Sequence, residues 1–181
     1  MPLSLILVRH AAPKIESDVA PSEWALSEAG RAAAQSLGER LSKLGSRAIV
    51  ASPEAKARMT AELIALSLGS EVNLDAGFVE HRRPGLGFLP PKEFESAIRL
   101  AFARPDERVF GGESANEALA RFESAIERHK ARPLIVVTHG TILSLFIGRH
   151  SRMEPFSLWT SLKLPEAFLL DEENRSFERM S

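Results

Sequence analysis

Residues 1–13 read MPLSLILVRHAAP, an apolar run that stops on an arginine and a histidine. Residues 5–8 have the continuous apolar character of a strand covered on both faces, and arginine and histidine are poorly suited to such a place. In open α/β sheets, ligands gather beyond the carboxyl ends of the parallel strands. Arg9 and His10 are therefore candidate site residues, against the plainer reading that they begin a solvated loop. Residues 134–142, LIVVTHGTI, repeat the pattern, with an apolar strand ending on His139, then Gly140 and the start of a helix. Two strand-end histidines in one parallel sheet can converge. A third element, ASPEAKAR at 51–58, opens a helix directly after a strand, so its first-turn amides and a basic side chain point to the same rim. Together these make a pocket for an anion.

The remaining elements fit around that rim. Ser27 is expected to cap a helix running to about residue 44, with Ala29, Ala33, Leu37 and Leu41 inward and Gly45 as its stop. Ser52 and Pro53 read as cap and first-turn proline of a helix to about residue 68, with Met59, Leu63 and Leu66 inward. Ser114 and Glu117 form a capping box before a third helix whose core stripe is Ala118, Phe122, Ala125 and His129. Strands are expected at 47–51, about 72–79 and 134–138, and a closing hairpin at 167–170 and 176–180. Alternating strands and helices predict one α/β domain over 1–181, a doubly wound, mostly parallel sheet with helices on both faces. Residues 81–112, rich in proline and glycine with one modest helix near 93–102, are read as a small insertion over the sheet edge.

Composition narrows the chemistry. The 181 residues suit one core, and 23 basic against 24 acidic side chains leave a formal net charge of −1, without the global field that nucleic acid or an anionic membrane would favour. Phosphate binding must be local. With no cysteine, a thiolate nucleophile and a sulfur-ligated zinc are excluded. The N-terminal stretch lacks a basic leader and no run approaches a membrane span, so a cytoplasmic protein is expected.

The motifs LVRHAAP, LSEAG, ASPEAKARMTAEL, FVEH, GGES and VVTHGT occur in the order and approximate spacing of the histidine phosphatase superfamily, the phosphoglycerate mutase-like branch 1. The chain resembles that family over nearly its whole length. Most specific is the pairing of an RH on the first strand with a late strand ending in HG. The resemblance implies a phosphomonoesterase that needs neither metal nor cofactor and works through a phosphohistidine on His10. Arg9 would grip the phosphoryl oxygens, and His139 with the amides after Gly140 would bind the transferring group. Glu80 would protonate the leaving oxygen and then activate water. Ser114 is a possible second-line ligand, although the capping box already accounts for it. His81, Arg82 and Arg83 could read a second anionic group, but a charge run is usually a solvated face.

Two features depart from the family pattern. Glycine and a hydroxyl residue usually follow the first histidine, whereas this chain reads RHAAPK, and the arginine usual four residues after the serine is Lys56, with Arg58 two further on. At about 100° per residue one helix cannot aim both cations at one phosphate. Lys56 is the expected ligand, and Arg58 pairs with Glu62 on the solvated face. The expected substrate is a small phosphorylated molecule or a protein phosphohistidine, and the oligomeric state is left open. The alternatives are a phosphoglycerate mutase-type phosphotransferase, a weakly active protein that binds a phosphorylated ligand, and a metal site of His10, His139 and Glu80, against which Arg9 argues by charge.

Overall fold

The computed structural model describes residues 5–46, 48–85, 89–171 and 176–180. The buried runs of the sequence form the centre of a six-stranded sheet. Its strands are β1 (Leu5–Arg9), β2 (Ala48–Ala51), β3 (Val72–Leu74), β4 (Leu134–Thr138), β5 (Glu166–Asp171) and β6 (Ser176–Arg179), in the spatial order β3-β2-β4-β1-β5-β6. β4 lies parallel to both β1 and β2, β2 is parallel to β3, and β5 runs antiparallel to β1 and β6.

Alternation along the strands divides the core in two. Ile6, Val8, Ile49, Ile135 and Val137 face one side, against helices α1 (Glu28–Leu41) and α2 (Ala55–Leu68). Leu5, Leu7, Val50, Leu134 and Val136 face the other, against α4 (Ala115–Arg128) and α5 (Gly140–His150). Between them in sequence lies α3 (Pro91–Ala103), and α6 (Pro155–Ser161) leads into β5. The chain leaves β1 through α1 on one face and leaves the adjacent β4 through α5 on the other. A crevice therefore opens at the carboxyl ends of these two strands, the place where such sheets bind ligands.

Several expectations need correction. In α1, Gly30, Ala34, Leu37, Gly38 and Leu41 are buried, whereas Ala29 is exposed and Ala33 only partly covered. In α2, the buried side is Lys56, Ala57, Thr60, Ala61, Ile64, Ala65 and Leu68. Leu66 is 75% exposed, and Met59 and Leu63 pack on a separate small cluster with Ala11, Leu26 and Ala34. The cause is close helix packing: a Cβ on Gly38 would come within 3.0 Å of Ile64 Cα. The small residues, not the long apolar ones, mark the α1–α2 interface. The cap of α2 is Glu54 rather than Ser52, whose hydroxyl instead accepts from the Glu54 amide at 3.2 Å.

The strand expected over 72–79 ends at Leu74, because the Asp75 carboxylate accepts the Gly77 amide at 2.7 Å and turns the chain into a short 3₁₀ turn, Ala76–Phe78. Arg47, at the edge of the second expected strand, lies outside the described residues, as do residues 172–175 of the hairpin turn. The described part of the stretch 81–112 packs α3 on α6 and sends Arg83 to Thr141 at the start of α5. It therefore reaches the crevice through Arg83.

Candidate active site

Local structure at the end of β1 orients His10. Its amide continues the ladder to Thr138 O at 2.9 Å, and its Nδ1 lies 2.8 Å from Ala11 O. A carbonyl can only accept, so Nδ1 carries the proton and the Nε2 lone pair is left for chemistry. Burial pushes the imidazole well below its ordinary pKa, with His139, then Lys56 and Arg9, adding to the effect. The ring is neutral at physiological pH, as a nucleophile requires.

Arg9 donates through Nη1 to Leu162 O at 2.9 Å, and its buried Nε has no hydrogen-bond partner among the described residues. Gly140 allows this placement, since a Cβ there would stand 3.1 Å from Arg9 Nε and 3.3 Å from Cζ. His139, fully buried at the cap of α5, stands edge-on to His10 with ring centroids 5.2 Å apart. Its Nε2 is 2.8 Å from Ser52 Oγ and 3.5 Å from Glu54 Oε1, while its Nδ1 is buried without a partner. Burial brings its pKa down to about 4 despite Glu54.

Lys56 is buried, and its ammonium donates to Pro21 O at 2.6 Å and Glu54 Oε2 at 2.9 Å. Arg58 points to solvent and pairs with Glu62 at 3.1 Å. Lys56 thus lies on the buried side of α2 and Arg58 on its solvated side, and Lys56 shares its face with Thr60 and Ile64 rather than with Met59 and Leu63. Thr60 Oγ1 accepts the Ala11 amide at 2.9 Å and donates to Lys56 O at 2.7 Å, tying the loop after His10 to α2.

Glu80 turns toward the start of α5. Its carboxylate accepts the amides of His81 at 2.9 Å, Thr141 at 3.0 Å and Ile142 at 3.1 Å. The amides of Thr141 and Ile142 after Gly140, assigned to the transferring group, thus donate to Glu80. Burial would raise this carboxyl, but Arg83, His139 and the amides outweigh it and hold the pKa at about 2. Ser114 makes both bonds of its capping box with Glu117 and contacts none of the residues around His10 among the bonds described.

The solvated-face reading of residues 81–83 holds for Arg82 alone. His81 is buried and stacks on Phe110, and the Arg83 guanidinium lies 4.8 Å and 4.9 Å from the Phe94 and Phe110 ring centres while donating to Thr141 Oγ1 at 3.0 Å. Reading the sequence also missed Glu54, Ser52 and the Arg121–Glu113 pair. Arg121 donates to the carbonyls of Gly77, Val79 and Glu80 and to both oxygens of Glu113, and so fixes the segment that carries Glu80. Glu54 had a usable signal: an acidic residue beside a basic one at the mouth of a helix that follows a strand. For a metal, the arrangement is unsuitable. His10 turns Nδ1 onto a carbonyl, both Glu80 oxygens hold amides, and no group of three or more metal-ligating side chains occurs among the described residues. Nor is any helix among them long and apolar enough to cross a membrane.

Comparison with known proteins bears on this geometry. The profile of the histidine phosphatase superfamily (branch 1) matches residues 5–169. A protein of Erwinia tasmaniensis named "Probable phosphoglycerate mutase GpmB" is 32% identical over 164 residues, covering 81% of this chain and 74% of its own. Its namesake from Salmonella paratyphi C is 28% identical over 162 residues, with the same coverage. Among solved structures, a mycobacterial glucosyl-3-phosphoglycerate phosphatase complexed with VO3 superposes with a TM-score of 0.75 at 21% identity, over 98% of this chain and 97% of the other. A phosphoserine phosphatase variant from Entamoeba histolytica gives 0.69 at 19%, over 98% and 95%. At these identities the structural likeness speaks for the fold.

Proposed function

Since the chain belongs to the histidine phosphatase superfamily (branch 1), we propose that it is a phosphomonoesterase that hydrolyses a small phosphorylated substrate through a phosphohistidine on His10. The observation that carries this reading is the state of His10: neutral, with its proton held on Nδ1 by Ala11 O and no hydrogen bond at Nε2 among the described residues, beside the partly buried guanidinium of Arg9. Nε2 attacks phosphorus and forms the N–P bond as the bond to the alkoxide oxygen breaks. Arg9, Lys56 and His139 stabilise the charge on the phosphoryl oxygens. Glu80 hands a proton to the departing oxygen and then takes one from the water that hydrolyses the phosphohistidine. Held as a carboxylate by its amides and Arg83, it takes up that first proton from solvent at the leaving-oxygen side of a bound ester, a step that free phosphate does not require.

Rapid quenching of the enzyme with a labelled aryl phosphate tests the reading. Acid-labile, alkali-stable phosphate is expected on His10, absent from His10→Ala, with turnover that persists in excess chelator. Label on a serine, or activity that a chelator removes and a divalent ion restores, overturns it. The names of the mutase relatives favour one second reading, a phosphoglycerate mutase. The same labelled enzyme decides it, by passing its phosphate to phosphoglycerate instead of water.

A further inference from the structure

Around His139 the polar groups are unevenly distributed. Its Nε2 side is fully furnished, with Ser52 Oγ at 2.8 Å and Glu54 Oε1 at 3.5 Å, whereas its Nδ1 is buried with no partner among the described residues. The Ser52 hydroxyl can donate or accept at Nε2, but a carboxylate oxygen can only accept, so the charge of Glu54 tips the ring toward the tautomer that keeps its proton on Nε2. The Nδ1 lone pair then stands unmatched in a buried place beside His10, a costly arrangement unless it is used.

Glu54 is itself held in position. Its Oε1 accepts the Glu80 amide at 2.9 Å and its Oε2 the Lys56 ammonium at 2.9 Å, so it can neither swing away freely nor act as an isolated charge. We propose that Glu54 is a positioning residue whose charge, 3.5 Å from Nε2, keeps the proton of His139 on that nitrogen, so that a phosphoryl anion binding at Nδ1 brings one proton with it onto Nδ1. The proposal rests on the reading of this pocket as a phosphoryl site.

The proton comes from solvent and leaves His139 as an imidazolium between two anions, the phosphoryl group on Nδ1 and Glu54 near Nε2. Without the phosphoryl group the balance of neighbours opposes that charge. Arg9 and His10 at the end of β1, Lys56 on the first turn of α2 and Arg83 from the stretch beyond Glu80 are positive or neutral, and among the described residues Glu54 and Glu80 are the neighbours that favour it. Glu80 is the competing acceptor, but its two oxygens already take three amide hydrogens, while Nδ1 of His139 has its lone pair open. The proton therefore goes to the histidine.

Titration calorimetry of inorganic phosphate at pH 8.5, where free phosphate is almost entirely the dianion and releases no proton of its own on binding, repeated in two buffers of different ionisation enthalpy, reads the coupling. Wild type is expected to take up close to one proton per phosphate bound. Glu54→Gln, which keeps an acceptor for the Glu80 amide but removes the charge, should take up less than half of that and bind phosphate about tenfold more weakly, the scale of one charge-assisted hydrogen bond. Nitrogen-15 spectra of wild-type His139 add a readout that needs no variant, since both ring nitrogens should become protonated when phosphate is added. Phosphate binding that is unchanged or tighter in Glu54→Gln would show that Glu54 is only a counter-ion competing for Lys56. A His139 ring that stays neutral while protons are taken up would place the proton on Glu80. Either result overturns the proposal while leaving the phosphatase reading standing. Wild type that binds no phosphate overturns both.

Discussion

Lys56 and Arg58 leave the first turns of α2 in nearly opposite directions, and their surroundings differ accordingly. Lys56 is 7% exposed and anchored to Glu54 and Pro21, within electrostatic reach of both histidines, while Arg58 makes a solvated i,i+4 pair. Removing a positive charge that meets the phosphoryl oxygens in a water-poor site commonly raises the barrier by about 2 to 4 kcal/mol, whereas an exposed pair contributes less than about 1 kcal/mol. Lys56→Ala is therefore expected to lower kcat/KM by about one and a half to three orders of magnitude on this scale, and Arg58→Ala by less than about fivefold. The two variants assayed side by side on one aryl phosphate check this, and a larger loss in Arg58→Ala would contradict the orientation of α2.

At the scale of elements, α4 performs two separable tasks. Its N-terminus is closed by the Ser114–Glu117 capping box, and one turn later Arg121 ties three carbonyls of the segment 77–80 to Glu113. Only the second task reaches the site, because that segment presents Glu80 to α5. Ser114→Ala should lose about 1 kcal/mol of stability, as cap deletions do, and keep its kcat/KM. Arg121→Met leaves Glu113 buried without its partner, which commonly costs about 3 to 5 kcal/mol, and should also lower kcat. Denaturant melts paired with kinetics separate the two, and a kinetic defect in Ser114→Ala would mean that the cap is coupled to the pocket after all.

The whole molecule stores the chemistry of its site as acid sensitivity. His139 titrates at about 4 in the folded chain against an ordinary 6.5, and His10 is lowered as well. The unfolded chain binds these protons first, so the stability tied to keeping the rings neutral is complete above about pH 6.5 and is lost as the pH falls toward 4. For His139 alone this is on the order of 3 kcal/mol. Glu80 adds a second loss at lower pH, since its stabilisation as a carboxylate is complete above 4.5 and disappears as the pH falls toward 2. Melting temperature should therefore drop between pH 7 and pH 4, and His139→Gln should flatten that slope. A wild-type profile that is level over this range would contradict the burial of neutral imidazoles.

What could be read along the chain was whatever depends on local order. The apolar runs ending on Arg9–His10 and on His139–Gly140 determine two buried parallel strands whose carboxyl ends meet, because strand-end polarity is set by neighbours in sequence. The capping box at Ser114 and the opposition of Lys56 to Arg58 follow from helical spacing in the same way. Other features were decided by contacts between residues far apart in the chain. Glu80 serves α5 rather than facing open space, because the free amides of Thr141 and Ile142 lie across from it. Arg83 is enclosed because Phe94 and Phe110 fold over it, and the inward side of α2 is set by how closely Gly38 lets α1 approach. Helical periodicity could not choose between the face with Met59, Leu63 and Leu66 and the alanine-rich face of the same helix. Only the distance to a neighbouring backbone, a property of the packed chain, selects the smaller side chains.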